Sequence, residues 1–254
     1  MPSRENQGFF TKPKIIAGLA IKDFEGLLTE QQARELIDVH TQYLEALRNA
    51  GINFPKTQMH CEKTVQGYKI RIIQEAFQES ELVKNIVESA SREQALSVVA
   101  QVLKNAEKAI NYNVKTNGTF GFHLSLGNFA LRNSVLYFFD TFPPMISKRQ
   151  TAQIIRKHSP WPKSKIARTA LSPLAFLATS EYYNPAKMIN GIVVSAARLR
   201  PELKKELVEL AVITGVKVLP KKVERIRKRV VASVERKGYR KAVDFAKRFV
   251  RRAK

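Results

Sequence analysis

Strand-like text in this chain stops at about residue 140, and beyond Pro143-Pro144 every periodic segment repeats at helical spacing. That division constrains the fold more than any single motif does. A sandwich or barrel needs strands throughout, and a doubly wound parallel sheet needs strands and helices alternating to the end. What remains is an α+β chain with a small sheet near its start and a helical remainder.

The early segments can be placed individually. Lys12 to Phe24 (KPKIIAGLAIKDF) is β-branched and aliphatic around Gly18, which suits a strand pair or a bent strand. At Thr29 the period changes. Thr29 and Gln32 make a capping box, and Leu36, Ile37, His40, Tyr43, Leu44 and Leu47 share one helical face before Gly51 ends it. His40, on that apolar face, reads as a core histidine. After Pro55, the runs TQMHCEK and YKIRIIQ flank a turn-like Val65-Gln66-Gly67, as in an antiparallel hairpin. Helical spacing returns at Ser80 to Ser89, and again after Ser91, which pairs with Gln94 to open a long helix through Val99, Leu103, Ala106 and Ile110. FALR and VLYFF, separated by Asn133-Ser134, predict a second hairpin. Helices are expected at roughly 146–157, 172–182, 184–199, 201–214, 220–237 and 239–252, with prolines where a first turn tolerates them.

With 254 residues, 44% of them hydrophobic, the chain can bury a substantial core. The single cysteine, Cys61, cannot close an intramolecular disulfide and reads as a buried thiol. Without zinc-spaced Cys and His, a signal-like leader or an apolar run of membrane-spanning length, the expected location is cytoplasmic.

The formal net charge of +22 is unevenly spread. Residues 217–254 hold 16 Lys and Arg against Glu224, Glu235 and Asp244, and the stretch from Thr141 to Ser180 contains no acid at all. From Pro220 to Lys237, Val223, Ile226, Val230 and Val234 fall near one helical face while Lys and Arg crowd the rest. Such helices pack inward and present charge outward. RNA or DNA backbone is the expected contact, an anionic membrane surface is the lesser alternative, and a merely solvated face is the bland one.

The segment GFHLSLGNFALRNSVLYFFDTFPP resembles the catalytic segment of the protein-kinase-like superfamily, in particular the aminoglycoside and choline kinases. In that family a loop leads to an Asn, a strand pair follows, and an Asp arrives about a dozen residues later. Here those positions are Asn128 and Asp140. The resemblance implies that they hold Mg²⁺ on the phosphates of ATP. It further implies that Lys22, in the string AIK, contacts the nucleotide phosphates, with Glu35 of the following helix as its ion-pair partner. Each residue also has an ordinary reading: Asn128 and Asp140 as turn and loop caps, Lys22 as a surface lysine. Two positions depart from the family. The catalytic base, five residues before the Asn, is His123 rather than Asp, and no GxGxxG loop precedes Lys22. An imidazole can take a proton near neutral pH, so His123 is either the base or a remnant in a pseudokinase.

The expectation is therefore a kinase-like α+β fold. It has a reduced N-terminal sheet lobe (1–77), a larger helical C-terminal lobe carrying the Asn128/Asp140 hairpin (78–216), and a basic helical extension (217–254). Its function is Mg-nucleotide binding, as a phosphotransferase or a pseudokinase with an unnamed acceptor. The alternative is a non-catalytic RNA- or DNA-binding protein acting through its basic helices.

Overall fold

Ala17 and Gly18, both at positive φ, turn strand β1 (Lys14–Ile16) back onto β2 (Leu19–Asp23). The structure is a computed structural model and describes residues 13–23, 28–158, 182–220 and 223–235. β3 (Thr57–Thr64) and β4 (Gly67–Glu75) form the next hairpin, and the four strands make one antiparallel sheet in the order β1-β2-β4-β3. On β4, Ile70, Ile72 and Gln74 alternate onto the buried face.

Helix α1 (Glu30–Asn49) lies against that face. Its start is fixed by the Thr29/Gln32 capping box, and by paired backbone bonds of 2.9 Å between Leu28 and Tyr68 just ahead of it. Ala33, Leu36, His40, Tyr43 and Leu47 form its buried stripe. Ala33 and Leu36 pack with Ile70, Ile72 and Phe142 in a small core under the sheet, whereas Tyr43 and Leu47 belong to the main core. One helix thus joins both apolar clusters.

Beyond the sheet come a 3₁₀ turn (Glu79–Glu81), α2 (Val83–Ser89) and the long α3 (Arg92–Thr116), whose Ser91 Oγ accepts from Gln94 N at 3.2 Å. The continuous helix expected over 80–89 is broken because Leu82 is extended and bridges to Ala130 of the next hairpin. That hairpin pairs β5 (Phe129–Arg132) with β6 (Val135–Phe138) through Asn133 and Ser134, both at positive φ, as a two-residue turn between strands requires.

The remaining described elements are helical: α4 (Lys148–His158), α5 (Pro185–Leu199), a 3₁₀ turn (Pro201–Leu203), α6 (Lys204–Val218) and α7 (Val223–Glu235). α3, α5, α6 and α7 pack together around Val102, Ala106, Ile192, Leu207, Ile226 and Val230. The architecture is mixed α+β, with a small antiparallel sheet and a helical remainder. The expected helix over 239–252, and nearly all of that over 172–182, lie outside the described residues.

Cys61 departs from its expected burial. It lies on β3, an edge strand of the sheet, and is exposed. No described helix is long and apolar enough to cross a membrane.

Candidate functional site

Lys22 sits on β2 directly opposite Ile72 of β4, and residues opposed across an antiparallel pair point to the same side. Ile72 is buried under the sheet, so the Lys22 side chain is drawn inward and is only 19% exposed. Its ammonium lies 3.9 Å from Asp140 Oδ1.

His123 is placed by the segment between α3 and β5. α3 ends at Asn117, in the left-handed region, and the Asn113 side chain grips Phe120 by accepting from its N at 3.0 Å and donating to its O at 2.8 Å. Tyr43, buried in the main core, donates from its hydroxyl to Gly121 O at 3.2 Å. Gly121 N donates to Met145 O at 2.6 Å, and Phe122 N to Tyr182 O at 2.9 Å. Phe122, Leu124 and Leu126 are buried in alternation, which leaves His123 and Ser125 on the other side. Gly121 is there because nothing larger fits: a Cβ would stand 2.8 Å from two carbons of the Tyr183 ring.

Asn128 and Asp140 are brought together by the hairpin. With Phe129 paired to Phe138, the residues before β5 and after β6 meet at its open end, and Phe139 N donates to Asn128 O at 3.0 Å. At that end His123 Nδ1 lies 3.0 Å from Asp140 Oδ2 and 3.0 Å from Asn128 Nδ2. A carboxylate can only accept, so Nδ1 is the donor to Asp140. Asn128 Nδ2 then cannot donate to the same nitrogen, and its bond goes to His123 O, at 3.1 Å. Tyr182 flanks the imidazole, with ring centroids 4.6 Å apart. Burial works against the charge on Asp140, but the His123 bond and the Lys22 ammonium outweigh it and hold the carboxyl below its ordinary range.

Four of the five residues singled out from the sequence thus converge: Lys22, His123, Asn128 and Asp140. Glu35 does not join them. The buried stripe of α1 runs through Ala33, Leu36 and His40, which leaves Glu35 exposed, accepting from Gln31 Nε2 at 3.0 Å. Its expected pairing with Lys22 is replaced by that of Asp140. The α1 residue beside Lys22 is His40, whose pKa is pushed down to about 4 by burial and by the Lys22 charge.

Behind the site runs a polar chain that the sequence reading missed. Thr141 Oγ1 is 3.4 Å from His40 Nε2 and accepts from Gln74 Nε2 at 3.1 Å, and Gln74 also reaches Thr57 Oγ1 at 3.1 Å. Its signal was a glutamine at the third inward position of β4, after Ile70 and Ile72. A polar side chain on such a face requires partners.

Among the described residues no three His, Cys, Asp or Glu side chains form a metal-holding group. The fit to Mg²⁺ is narrower. Among the described residues Asn128 Oδ1 accepts no hydrogen bond, and Asp140 Oδ1 lies 3.9 Å from the Lys22 ammonium. An amide oxygen and a carboxylate oxygen suit a cation that arrives with phosphate oxygens and water to complete its shell.

A family model covers residues 5–243. The chain belongs to DUF6206, a family of unknown function. Lys22, His123, Asn128 and Asp140 all lie inside the span that defines this DUF6206 member. No curated protein matches it.

Proposed function

We propose that this protein is a divergent kinase-like protein that binds a Mg-nucleotide, ATP being the expected one, where β2, the 117–128 segment and the β5-β6 hairpin meet. The observation that carries the reading is the meeting of Lys22, His123, Asn128 and Asp140, contributed by three separate parts of the chain: Lys22 and His123 lie against the Asp140 carboxylate, and Asn128 lies against His123. A lysine beside a carboxylate and an amide oxygen is the donor set that a metal–polyphosphate needs, since the cation takes the oxygens and the ammonium takes the phosphate. The order of elements supports a reduced sheet lobe set against a helical one. When bound, Mg²⁺ would neutralise phosphate charge. Asn128 and Asp140 would hold it, Lys22 would turn to the phosphates, and His123 would stand at the reacting end.

The test is the melting temperature with ATP, with and without Mg²⁺. A ligand that binds only the native chain raises it by mass action, by about 2.7 kcal/mol of stability at a hundredfold excess over Kd. Asp140→Asn keeps the size of the side chain and removes its charge, and it should abolish the Mg-dependent part of the shift. Equal Mg-dependent shifts in wild type and Asp140→Asn would remove the assignment.

A second reading rests on a different observation. On α7, Ile226 and Val230 are buried while Arg227 and Lys228 are exposed, so this part of the basic extension turns its cations to solvent. That face suits RNA or DNA backbone, acting with or without the nucleotide site.

A further inference from the structure

Resting on the nucleotide reading above, we infer that His123 is itself a phosphoryl acceptor, its Nε2 forming an N–P bond with the terminal phosphoryl group of a nucleoside triphosphate. The position of the imidazole proton carries this. Asp140 Oδ2, 3.0 Å from Nδ1, takes that proton as its hydrogen bond, so the lone pair of the ring is on Nε2. Nε2 makes no hydrogen bond among the described residues, and the side chain is 35% exposed. The ring is also held in place. Tyr182 lies against it, and the Tyr182 carbonyl accepts from the neighbouring Phe122 N, which ties the two segments together.

An oriented imidazole with a free nitrogen is the arrangement of an activated nucleophile, the carboxylate setting its tautomer and stabilising the cation that forms on the ring. Lys22, 3.9 Å from the other oxygen of Asp140, supplies positive charge beside the phosphoryl oxygens. In the step, the Nε2 lone pair bonds to the γ-phosphorus. The bond from that phosphorus to the β–γ bridging oxygen breaks, and its electron pair leaves on the nucleoside diphosphate. Nδ1 keeps its proton, shared with Asp140. No proton has to be removed first, which a base acting on an acceptor hydroxyl would require, and no second substrate is needed.

The experiment uses the full chain with two phosphoryl donors: Mg²⁺ with γ-labelled ATP, and phosphoramidate, which needs no nucleotide site. Phosphate is mapped on peptides by mass spectrometry, with exposed His60 as the internal comparison. The expected result is acid-labile, alkali-stable phosphate on His123 from both donors, faster than on His60 and absent in His123→Gln. Asp140→Asn should lower labelling by phosphoramidate about tenfold or more, because the amide no longer fixes the tautomer. That arm involves neither metal nor nucleotide, so loss of a cation site alone would not move it. Melting curves show whether both variants fold, and the site mapped in the wild type stands without them. If ATP raises the melting temperature yet leaves no phosphate on His123, the acceptor is overturned and nucleotide binding stands. If phosphoramidate labels His123 selectively while ATP neither binds nor labels, the nucleotide reading falls and the acceptor stands with another donor. Labelling no faster than at His60 with either donor removes the acceptor.

Discussion

Burial of His40 beside Lys22 takes one proton-binding site away from the folded chain in the mildly acidic range. The unfolded chain takes up a proton at this residue below about pH 6.5, whereas the native chain does so only near 4. The contribution is therefore fully present above 6.5 and is lost as pH falls toward 4. Urea unfolding at pH 6.5 and 5 should show the wild type losing about 1.5 kcal/mol that His40→Gln does not lose. Asp140 acts in a lower window. Its pKa is depressed, so its contribution is lost only as pH falls below about 4, the ordinary aspartate range. The second residue-scale prediction concerns Gly121, where an added Cβ meets the Tyr183 ring at 2.8 Å. That ring is fixed by its hydroxyl, 2.6 Å from Thr151 Oγ1, which itself donates to Pro144 O at 2.9 Å. Gly121→Ala should lower the unfolding free energy by about 1–3 kcal/mol, measured by urea titration. His123 was legible from its distance to Asn128. Gly121 was not, because its neighbour Tyr183 is 62 residues away and only packing brings them together.

At the scale of elements, the β5-β6 hairpin carries the site, and Arg132 holds the hairpin to the chain leaving the sheet. Its guanidinium donates to both Glu81 oxygens, at 2.6 and 2.9 Å, to Glu75 Oε1 at 2.6 Å and to Ala76 O at 2.8 Å, and it lies 4.5 Å from the Phe77 ring centre. These partners raise its pKa, chiefly through the Glu81 bonds. A lysine presents one point of charge in place of a planar fork, so Arg132→Lys should recover little of what Arg132→Ala loses. The expected loss in either variant is about 1.5–3 kcal/mol, and a lysine variant as stable as wild type in urea would show that charge alone suffices. The hairpin itself was plain in the sequence from two short apolar runs around Asn133-Ser134. Its anchor was not, since nothing local connects Arg132 with residues 51 to 57 positions earlier.

For the whole molecule, charge and core meet in α7. Because Ile226 and Val230 belong to the main core, deleting residues 217–254 would remove packing along with charge. Replacing exposed cations separates the two effects. Arg227→Gln with Lys228→Gln should leave the melting temperature nearly unchanged. It should also flatten the dependence of duplex DNA binding on salt by roughly 0.9 in slope for each phosphate that is no longer neutralised. An unchanged slope would assign the binding to another face.

Elements that depend on near neighbours could be read from the chain itself. The Thr29 and Ser91 caps, the alternating strands, the two hairpins and the helical remainder each follow from residues a few positions apart, because period and capping are local properties of the backbone. The twelve-residue separation of Asn128 and Asp140 belongs to the same class, since one short hairpin closes it. The partner of Lys22 does not. Helical phase turned Glu35 outward and His40 inward, and the strand register aimed Lys22 at a carboxylate 118 positions later. Thr141 met Gln74 and His40 in the same way, across the interface of sheet, helix and hairpin. Such pairings are set by how whole elements pack, and a shift of one residue in a strand or about 100° on a helix exchanges one partner for another.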